Sequence, residues 1–272
     1  MSIFLTVVAV YVGIALLMYL FQSHLLYFPR REIVGTPALL GLAFTDEEFR
    51  TSDGVRLHGW FVPADSATAT MLFFHGNGGN ISYLLETVST AHRLGLNMFV
   101  FDYRGYGRSE GSASEEGTYR DAMAAWDVLT TGKKIPSGTI FLGGRSLGGA
   151  VATWLATQTH PAGLIVESSF TSVPDIAADA YPFFPVRLLS RFRYPAADNI
   201  RKVVCPVLVV HSAEDEIIPY EHGRRLFEAA NEPKEFLEIT GGHNEGFVLD
   251  ETRYREGIGR FVTRVLDSHK SQ

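Results

Sequence analysis

The sequence predicts an α/β fold in which a mostly parallel sheet carries helices on both faces, preceded by one transmembrane helix. Apolar runs of strand length alternate with helix-length segments along most of the chain, and such alternation is typical of a parallel sheet buried between two helical layers. A serine stands between the glycines of a G-x-S-x-G sequence, where a strand-like run passes into a helical pattern. Before the alternation begins, the 19 residues 3–21 carry no charge.

The composition indicates one globular domain with an appendage. The 272 residues are 46% hydrophobic and 20% charged, which is enough apolar material for a substantial core. A formal charge of −6 arises from 24 basic and 30 acidic residues without a basic run, so nucleic acid is not an expected partner. The single cysteine, Cys205, excludes an internal disulfide. We predict an anchor at residues 1–28 and a globular domain at 29–272.

The apolar segment 3–21 would span about 28 Å as a helix, close to the thickness of one hydrocarbon core. A cleaved signal peptide is the alternative. However, the run is longer than the usual signal core, no Lys or Arg precedes it, and no small-x-small site closes it. The sequence therefore predicts an uncleaved single-pass membrane anchor.

The residues that follow the anchor bear on its orientation. The pair Arg30-Arg31 supplies the first positive side chains after the apolar run, and the positive-inside tendency favours a cytoplasmic globular domain. Tyr27 and Phe28 precede this pair. They could rest at the lipid headgroups, as interfacial aromatics do, or pack on the domain as part of a hydrophobic linker.

The pattern after the anchor predicts alternating strands and helices. Strands are expected at 57–62, 70–75, 97–101, 139–143, 163–167, 207–211 and 235–239. Helices are expected at 80–94, 115–131, 147–159, 220–230 and 245–266. In open sheets of this kind ligands bind at the carboxyl ends of the strands, so candidate functional residues are those that directly follow a strand.

The predicted strand 139–143 runs into Gly144-Arg145-Ser146-Leu147-Gly148. This strand–turn–helix context is the one in which G-x-S-x-G presents a nucleophilic serine. The turn is strained and crowded, so the positions two before and two after the serine favour glycine. We predict Ser146 as a nucleophile.

A serine hydroxyl is a weak nucleophile at neutral pH and needs a base within hydrogen-bond reach. His243 follows the last predicted strand, and Asp215 follows the strand 207–211, which gives the chain order Ser, Asp, His found in α/β-hydrolases. We therefore predict His243 as the base and Asp215 as the acid that orients it. Three glutamates could be mistaken for the acid: Glu214, Glu216 and Glu167.

The loop after the strand 70–75 is rich in glycine, and glycines let backbone N–H groups approach a developing oxyanion. The expected donors are the backbone amides of Asn77 and of Leu147, the residue after the nucleophile. His75 has no partner at metal-ligand spacing in the sequence, so it is expected to brace the loop. Neither a metal nor a cofactor is expected.

Four motifs in this order resemble the membrane-anchored α/β-hydrolase-domain proteins that include bud-emergence-type hydrolases and relatives of protein depalmitoylases. They are Phe74-His75-Gly76-Asn77-Gly78-Gly79-Asn80, Phe101-Asp102-Tyr103-Arg104-Gly105-Tyr106-Gly107, Gly144-Arg145-Ser146-Leu147-Gly148 and Gly242-His243-Asn244. The resemblance covers nearly the whole chain, anchor included. It implies the α/β-hydrolase fold, with a mostly parallel eight-stranded sheet and a short cap, and the same triad and oxyanion donors.

A short cap at about residues 168–200 is expected to cover the nucleophile. Its aromatic residues would form an apolar acyl pocket or simply pack within the cap: Phe170, Tyr181, Phe183 and Phe184. Beside an anchor, such a pocket would take an amphiphilic substrate.

The sequence thus predicts a serine hydrolase of carboxylic acyl esters that works through an acyl-enzyme. An acyl-protein thioesterase and an aminopeptidase-like hydrolase are the alternatives within the same chemistry, and a membrane-tethered scaffold without activity is the alternative outside it. The oligomeric state is left open by the sequence.

Overall fold

The computed structural model describes residues 2–270. Met1, Ser271 and Gln272 lie outside the described residues. They are the first residue of the predicted anchor and the last two residues of the predicted globular domain. The strands are β1 Phe28–Pro29, β2 Thr45–Arg50, β3 Arg56–Val62, β4 Ala69–Phe74, β5 Gly78–Gly79, β6 Leu96–Asp102, β7 Ile140–Arg145, β8 Gly163–Glu167, β9 Val207–Ser212 and β10 Lys234–Ile239. The helices are α1 Ile3–Leu20, α2 Gln22–Leu26, α3 Leu85–Arg93, α4 Glu115–Asp127, α5 Leu147–Gln158, α6 Val173–Ala180, α7 Val186–Leu189, α8 Ala196–Ile200, α9 Tyr220–Ala229, α10 Gly246–Leu249 and α11 Glu251–Lys270.

Eight of these strands form one sheet in the order β10-β9-β8-β7-β4-β6-β3-β2. Neighbours from β10 through β6 pair in parallel, whereas β3 runs antiparallel to both β6 and β2. The sheet is therefore mostly parallel, and the predicted α/β-hydrolase fold is confirmed.

The seven strands that we predicted from apolar runs are present, with ends that differ by at most two residues. The eighth, β2, was not placed by the sequence. It lies at the sheet edge and has no fully buried residue, because its charged side chains, among them Asp46, Glu47 and Glu48, suit an edge that faces water.

The five predicted helices are also present, three of them in two parts. The segment 115–131 is α4 followed by a π-helical turn, Val128–Gly132. The segment 80–94 begins as a 3₁₀ turn, Ile81–Leu84, before α3, and Asn80 caps that turn by accepting from the N–H of Ser82. The segment 245–266 is interrupted at Asp250 between α10 and α11. The Asp250 carboxylate accepts from the backbone N–H of Thr240, which ties this break to the loop after β10.

The core lies on both faces of the sheet. Side chains alternate along a strand, so Leu72 and Phe74 of β4 enter one cluster, to which α4, α5, α8 and α9 contribute. Met71 and Phe73 enter the other, which α3 and α11 cover. The helices on these two faces thus leave the carboxyl ends of the strands uncovered. The loops at those ends can therefore form a site.

Helix α1 has no buried residue. Its 18 residues span about 27 Å, and their length and composition suit a membrane-crossing helix. A signal sequence near an N-terminus has the same features. Halfway along α1, Tyr11 stacks on Phe184 of the cap with 5.0 Å between ring centroids, and its hydroxyl donates to Phe183 O at 2.8 Å.

The linker between α1 and Arg30 packs on the domain. Tyr27 is only 6% exposed, and its hydroxyl lies 2.7 Å from that of Tyr194, which in turn contacts the Thr118 hydroxyl at 2.9 Å. Tyr27 thus packs on the domain and does not face outward as an interfacial aromatic would. The Phe28 side chain, by contrast, is half exposed. Residues on both sides of the predicted domain boundary at residue 28 therefore contact the globular domain.

Candidate active site

The three residues predicted as a triad follow three strands at the carboxyl edge of the sheet. Ser146 follows β7, Asp215 follows β9 and His243 follows β10. All three are largely buried, and Ser146 and His243 line the same cavity. The structure therefore brings these residues together, although 97 positions separate Ser146 from His243 in the sequence.

The turn at Ser146 holds the strained geometry that the motif predicts. Ser146 has φ 55° and ψ −121°, a conformation that L-residues avoid. A Cβ on Gly144 would lie 2.2 Å from Gly148 O, and a Cβ on Gly148 would lie 2.0 Å from Phe74 O. These contacts are with backbone atoms that cannot move aside, so both positions require glycine.

Two residues at and just after the end of β8 stabilise this turn. The Ser146 N–H donates to Glu167 O at 2.9 Å, and the Ser169 hydroxyl donates to Ser146 O at 2.8 Å. The side chain of Ser146 is left out of these bonds. Its hydroxyl is therefore presented at the end of β7 by a backbone that is bonded on both sides.

Asp215 and His243 form the second part of the site. His243 Nδ1 lies 2.8 Å from Asp215 Oδ2, and the other carboxylate oxygen accepts from the N–H groups of Ile217 and Ile218. Burial alone would raise the pKa of the Asp215 carboxyl, but the bonds from His243, Ile218 and Ile217 hold that pKa below its usual range. The ionised carboxylate keeps the proton on Nδ1, which leaves Nε2 free to act as a base.

The three competing glutamates have other partners. Glu214 accepts from the N–H of Gly241, and Glu216 accepts from the N–H of His243, so both fix the backbone of the loop that carries the histidine. Glu167 is bound by Arg145 at 2.8 Å and by the Tyr254 hydroxyl. The hydrogen bond to the imidazole belongs to Asp215.

The predicted oxyanion donors lie on two sides of the nucleophile. Leu147 is the first residue of α5, and the first N–H groups of a helix have no partner within it. Asn77 lies in the loop after β4, and both residues line the cavity. A Cβ on Gly76 would lie 3.6 Å from Ser146 Cβ, so this loop passes directly beside the serine.

The N-terminal linker braces the glycine-rich loop after β4, a contact that sequence reasoning missed. β1 and β5 form a parallel pair, in which Phe28 N–H donates to Asn77 O at 2.9 Å and Arg30 N–H donates to Gly79 O at 3.0 Å. The Asn77 side chain donates to Leu26 O at 3.0 Å. These are bonds to backbone atoms between segments about 50 positions apart, and such bonds leave no pattern in the sequence.

Beneath the loop, His75 and Asp102 are both buried. Burial lowers the pKa of the His75 imidazole to about 4, so the ring is neutral, and its Nδ1 lies 2.7 Å from Gly76 O, which can only accept. The Asp102 carboxylate accepts from Ile81 N–H at 2.8 Å. His75 thus braces the loop, and Asp102 holds the start of the segment that follows it.

Burial raises the pKa of the Asp102 carboxyl to about 7, whereas an unfolded aspartate titrates near ~3.9. A carboxyl whose folded pKa is raised binds its proton more tightly in the fold, so its stabilising contribution is complete below about pH 4 and is lost as pH rises through about 7. Asp102→Asn has no such proton. We expect it to shrink the difference in free energy of unfolding between pH 5 and pH 8 by roughly 2–3 kcal/mol, measured by urea unfolding. Asp127→Asn, at an exposed position, is the control, and an unchanged pH dependence in Asp102→Asn would contradict the expectation.

The cavity above Ser146 has a volume of about 1070 Å³. Three of the four aromatic residues that were predicted to form a pocket line it: Phe170, Tyr181 and Phe184. The prediction for Phe183 is wrong, because that side chain is 86% exposed and is not among the residues that line the cavity. Its backbone carbonyl instead accepts from Tyr11 of α1.

Known proteins share this architecture. The family model of the α/β hydrolase fold matches residues 69–162, which include Ser146. The chain is 38% identical over 254 residues to the uncharacterized protein Rv2307c of Mycobacterium tuberculosis (strain ATCC 25618 / H37Rv), covering 92% of this chain and 90% of that protein. It is 37% identical over 257 residues to the alpha/beta hydrolase domain-containing protein WAV2 of Arabidopsis thaliana, covering 85% and 83%. The Pyrococcus furiosus esterase Pf2001 has a similar fold, with a TM-score of 0.75, 18% identity and coverage of 89% and 98%.

Proposed function

This chain belongs to the α/β-hydrolase family, and on that premise we propose that it is a serine hydrolase that cleaves carboxylic acyl esters through an acyl-enzyme. The observation that carries the proposal is the 2.8 Å bond between Asp215 and His243 beside a serine in a strained, glycine-flanked turn. A bonded carboxylate and imidazole next to such a serine are the parts that nucleophilic acyl transfer requires.

In the proposed reaction, His243 Nε2 removes the proton from the Ser146 hydroxyl as Oγ attacks the carbonyl carbon of the ester. The amides of Asn77 and Leu147 donate to the resulting oxyanion. When the tetrahedral intermediate collapses, the alkoxide leaves with the proton from His243 and the acyl group remains on Ser146. Water, deprotonated by the same imidazole, then attacks the acyl carbon. The bond from that carbon to Ser146 Oγ breaks, Oγ takes the proton back from His243, and the acid is released.

Asp215 supports these reaction steps because its carboxylate stays ionised. Its low pKa means that it stays ionised while His243 accepts a proton, and it stabilises the imidazolium that forms. Acyl thioesters present the same carbonyl to the same atoms, so a thioesterase of the depalmitoylase type is the second candidate that this cavity supports.

In this proposal, helix α1 attaches the enzyme to a membrane. We take it as a single-pass anchor, with the catalytic domain on the cytoplasmic side, where Arg30 and Arg31 satisfy the positive-inside tendency. The anchor holds the catalytic domain close to the headgroups, which raises the local concentration of any substrate embedded in the bilayer. The natural substrate is accordingly amphiphilic.

The test is an activity panel on the full chain in detergent: p-nitrophenyl esters of graded acyl length, acyl thioesters, and aminoacyl amides. We expect turnover of esters and covalent labelling by a fluorophosphonate, because the reagent forms the same bond to an activated serine as the substrate does. Faster cleavage of thioesters than of matched esters would move the assignment to a thioesterase. A chain that neither turns over any of these compounds nor reacts with the probe is the inactive scaffold, and the proposal fails.

A further inference from the structure

One wall of the cavity above Ser146 belongs to the N-terminal segment. The end of α1, helix α2 and the residues after it line the cavity together with the cap: Met18, Tyr19, Gln22, Leu25, Leu26 and Phe28. Most of these side chains are apolar. The short cap alone would leave the site open on this side, and the N-terminal segment closes it.

Direct bonds hold this wall against the cap. The Gln22 side chain donates to Leu189 O at 2.8 Å and accepts from the N–H of Arg191 at 2.8 Å. The Arg191 guanidinium also lies over the ring of Tyr19, 5.4 Å from its centroid. The Gln22 side chain therefore makes two hydrogen bonds to the backbone of the cap. These bonds fix the position of the N-terminal wall relative to the cap.

The wall is also tied to the catalytic loop. Leu26 O accepts from the Asn77 side chain at 3.0 Å, and Phe28 N–H donates to Asn77 O at 2.9 Å. Asn77 is the residue whose backbone amide we assign to the oxyanion hole. The same few residues thus bound the cavity and brace the atoms beside Ser146, so that the wall is built as a part of the active site.

The chemistry of the wall indicates what it binds. Helix α1 is exposed and apolar along its length, while at its end Met18 turns a half-buried apolar side chain to the cavity. A cavity of about 1070 Å³ is slightly larger than the usual small-molecule site, roughly 300–1,000 Å³. The volume and the apolar wall suit a long acyl chain rather than a short one.

We propose that residues Met18–Leu26 form the acyl-chain wall of the active site and select substrates with long acyl chains. This inference rests on the proposed esterase function and adds a role for the N-terminal segment within it. The segment acts in substrate selection, besides any role in attachment to a membrane.

The test compares two adjacent residues of α1 in the full chain. Met18→Trp narrows the cavity, whereas Leu17→Trp places the same ring on a neighbouring exposed position that does not line it. For each variant, kcat/KM is measured with p-nitrophenyl palmitate and p-nitrophenyl butyrate in the same detergent micelles. We expect the palmitate-to-butyrate ratio to fall at least tenfold in Met18→Trp and to stay within twofold of wild type in Leu17→Trp.

A second wall variant, Leu25→Trp, controls for a local structural defect in Met18→Trp. It is expected to lower the same palmitate-to-butyrate ratio. Ratios that match wild type in both wall variants overturn the inference. Equal proportional losses on both esters in both variants also overturn it, since the wall would then support the fold without selecting the chain. Failure of the proposed function is distinguishable, because wild type would then cleave neither butyrate nor palmitate.

Discussion

Ser146→Ala is expected to lower ester turnover by a factor on the order of 10⁶, as the loss of a nucleophile does in other triad enzymes. The change removes the proposed nucleophilic atom, and within residues 2–270 no hydrogen bond from the Ser146 side chain supports the fold. The backbone bond from Ser146 N–H to Glu167 O remains. Alanine carries the same Cβ and meets the same strain at φ 55°. The stability of the variant should therefore match wild type.

The measurement is kcat/KM on a short soluble ester together with fluorophosphonate labelling, which should vanish in Ser146→Ala. Ser66→Ala is a matched control: Ser66 is an exposed serine with φ 54°, away from the cavity, so it reports any cost of the substitution at positive φ. Wild-type turnover by Ser146→Ala would mean that another residue is the nucleophile, and the whole assignment would fall.

Asp215→Asn is expected to lower kcat by up to about 10⁴ while leaving the geometry of the site intact. An amide in place of the carboxylate can present an NH₂ group to His243 Nδ1. The imidazole would then hold its proton on Nε2, the nitrogen that must accept the serine proton. The missing negative charge would also leave the imidazolium unsupported during the reaction.

Two glutamine variants serve as comparisons. Glu167→Gln removes a charge that Arg145 and Tyr254 bind, and Glu216→Gln weakens a bond to the backbone of His243. Neither carboxylate contacts the imidazole of His243, so both losses should be much smaller than that of Asp215→Asn. A large loss in Glu167→Gln with a mild one in Asp215→Asn would transfer the role of the acid to Glu167.

The candidate triad could be predicted from the sequence because each of its signals is local. Gly144 and Gly148 lie two positions from Ser146, so the motif is visible within five residues. A Cβ on Gly144 would clash inside this turn, whereas a Cβ on Gly148 would clash with Phe74 O of β4. Asp215 and His243 were found because each directly follows an apolar run, and parallel strands bring their carboxyl ends to one edge. The sequence could also place seven strands, since burial on both faces leaves continuous apolar runs.

The tertiary structure alone decided how the N-terminal segment meets the site. Its bonds join Phe28 to Asn77, Gln22 to Leu189 and Tyr11 to Phe183 across about 50 to 170 positions. Most of the acceptors are backbone carbonyls, which every residue type carries, so no residue pattern marks them. The same limit explains the error at Phe183. An aromatic residue in a cap can face the cavity or the outside, and which of the two it does depends on the local turn and on the packing of α1 against it. The sequence by itself predicted a nucleophile at Ser146, and only the fold determined the walls of the cavity around it.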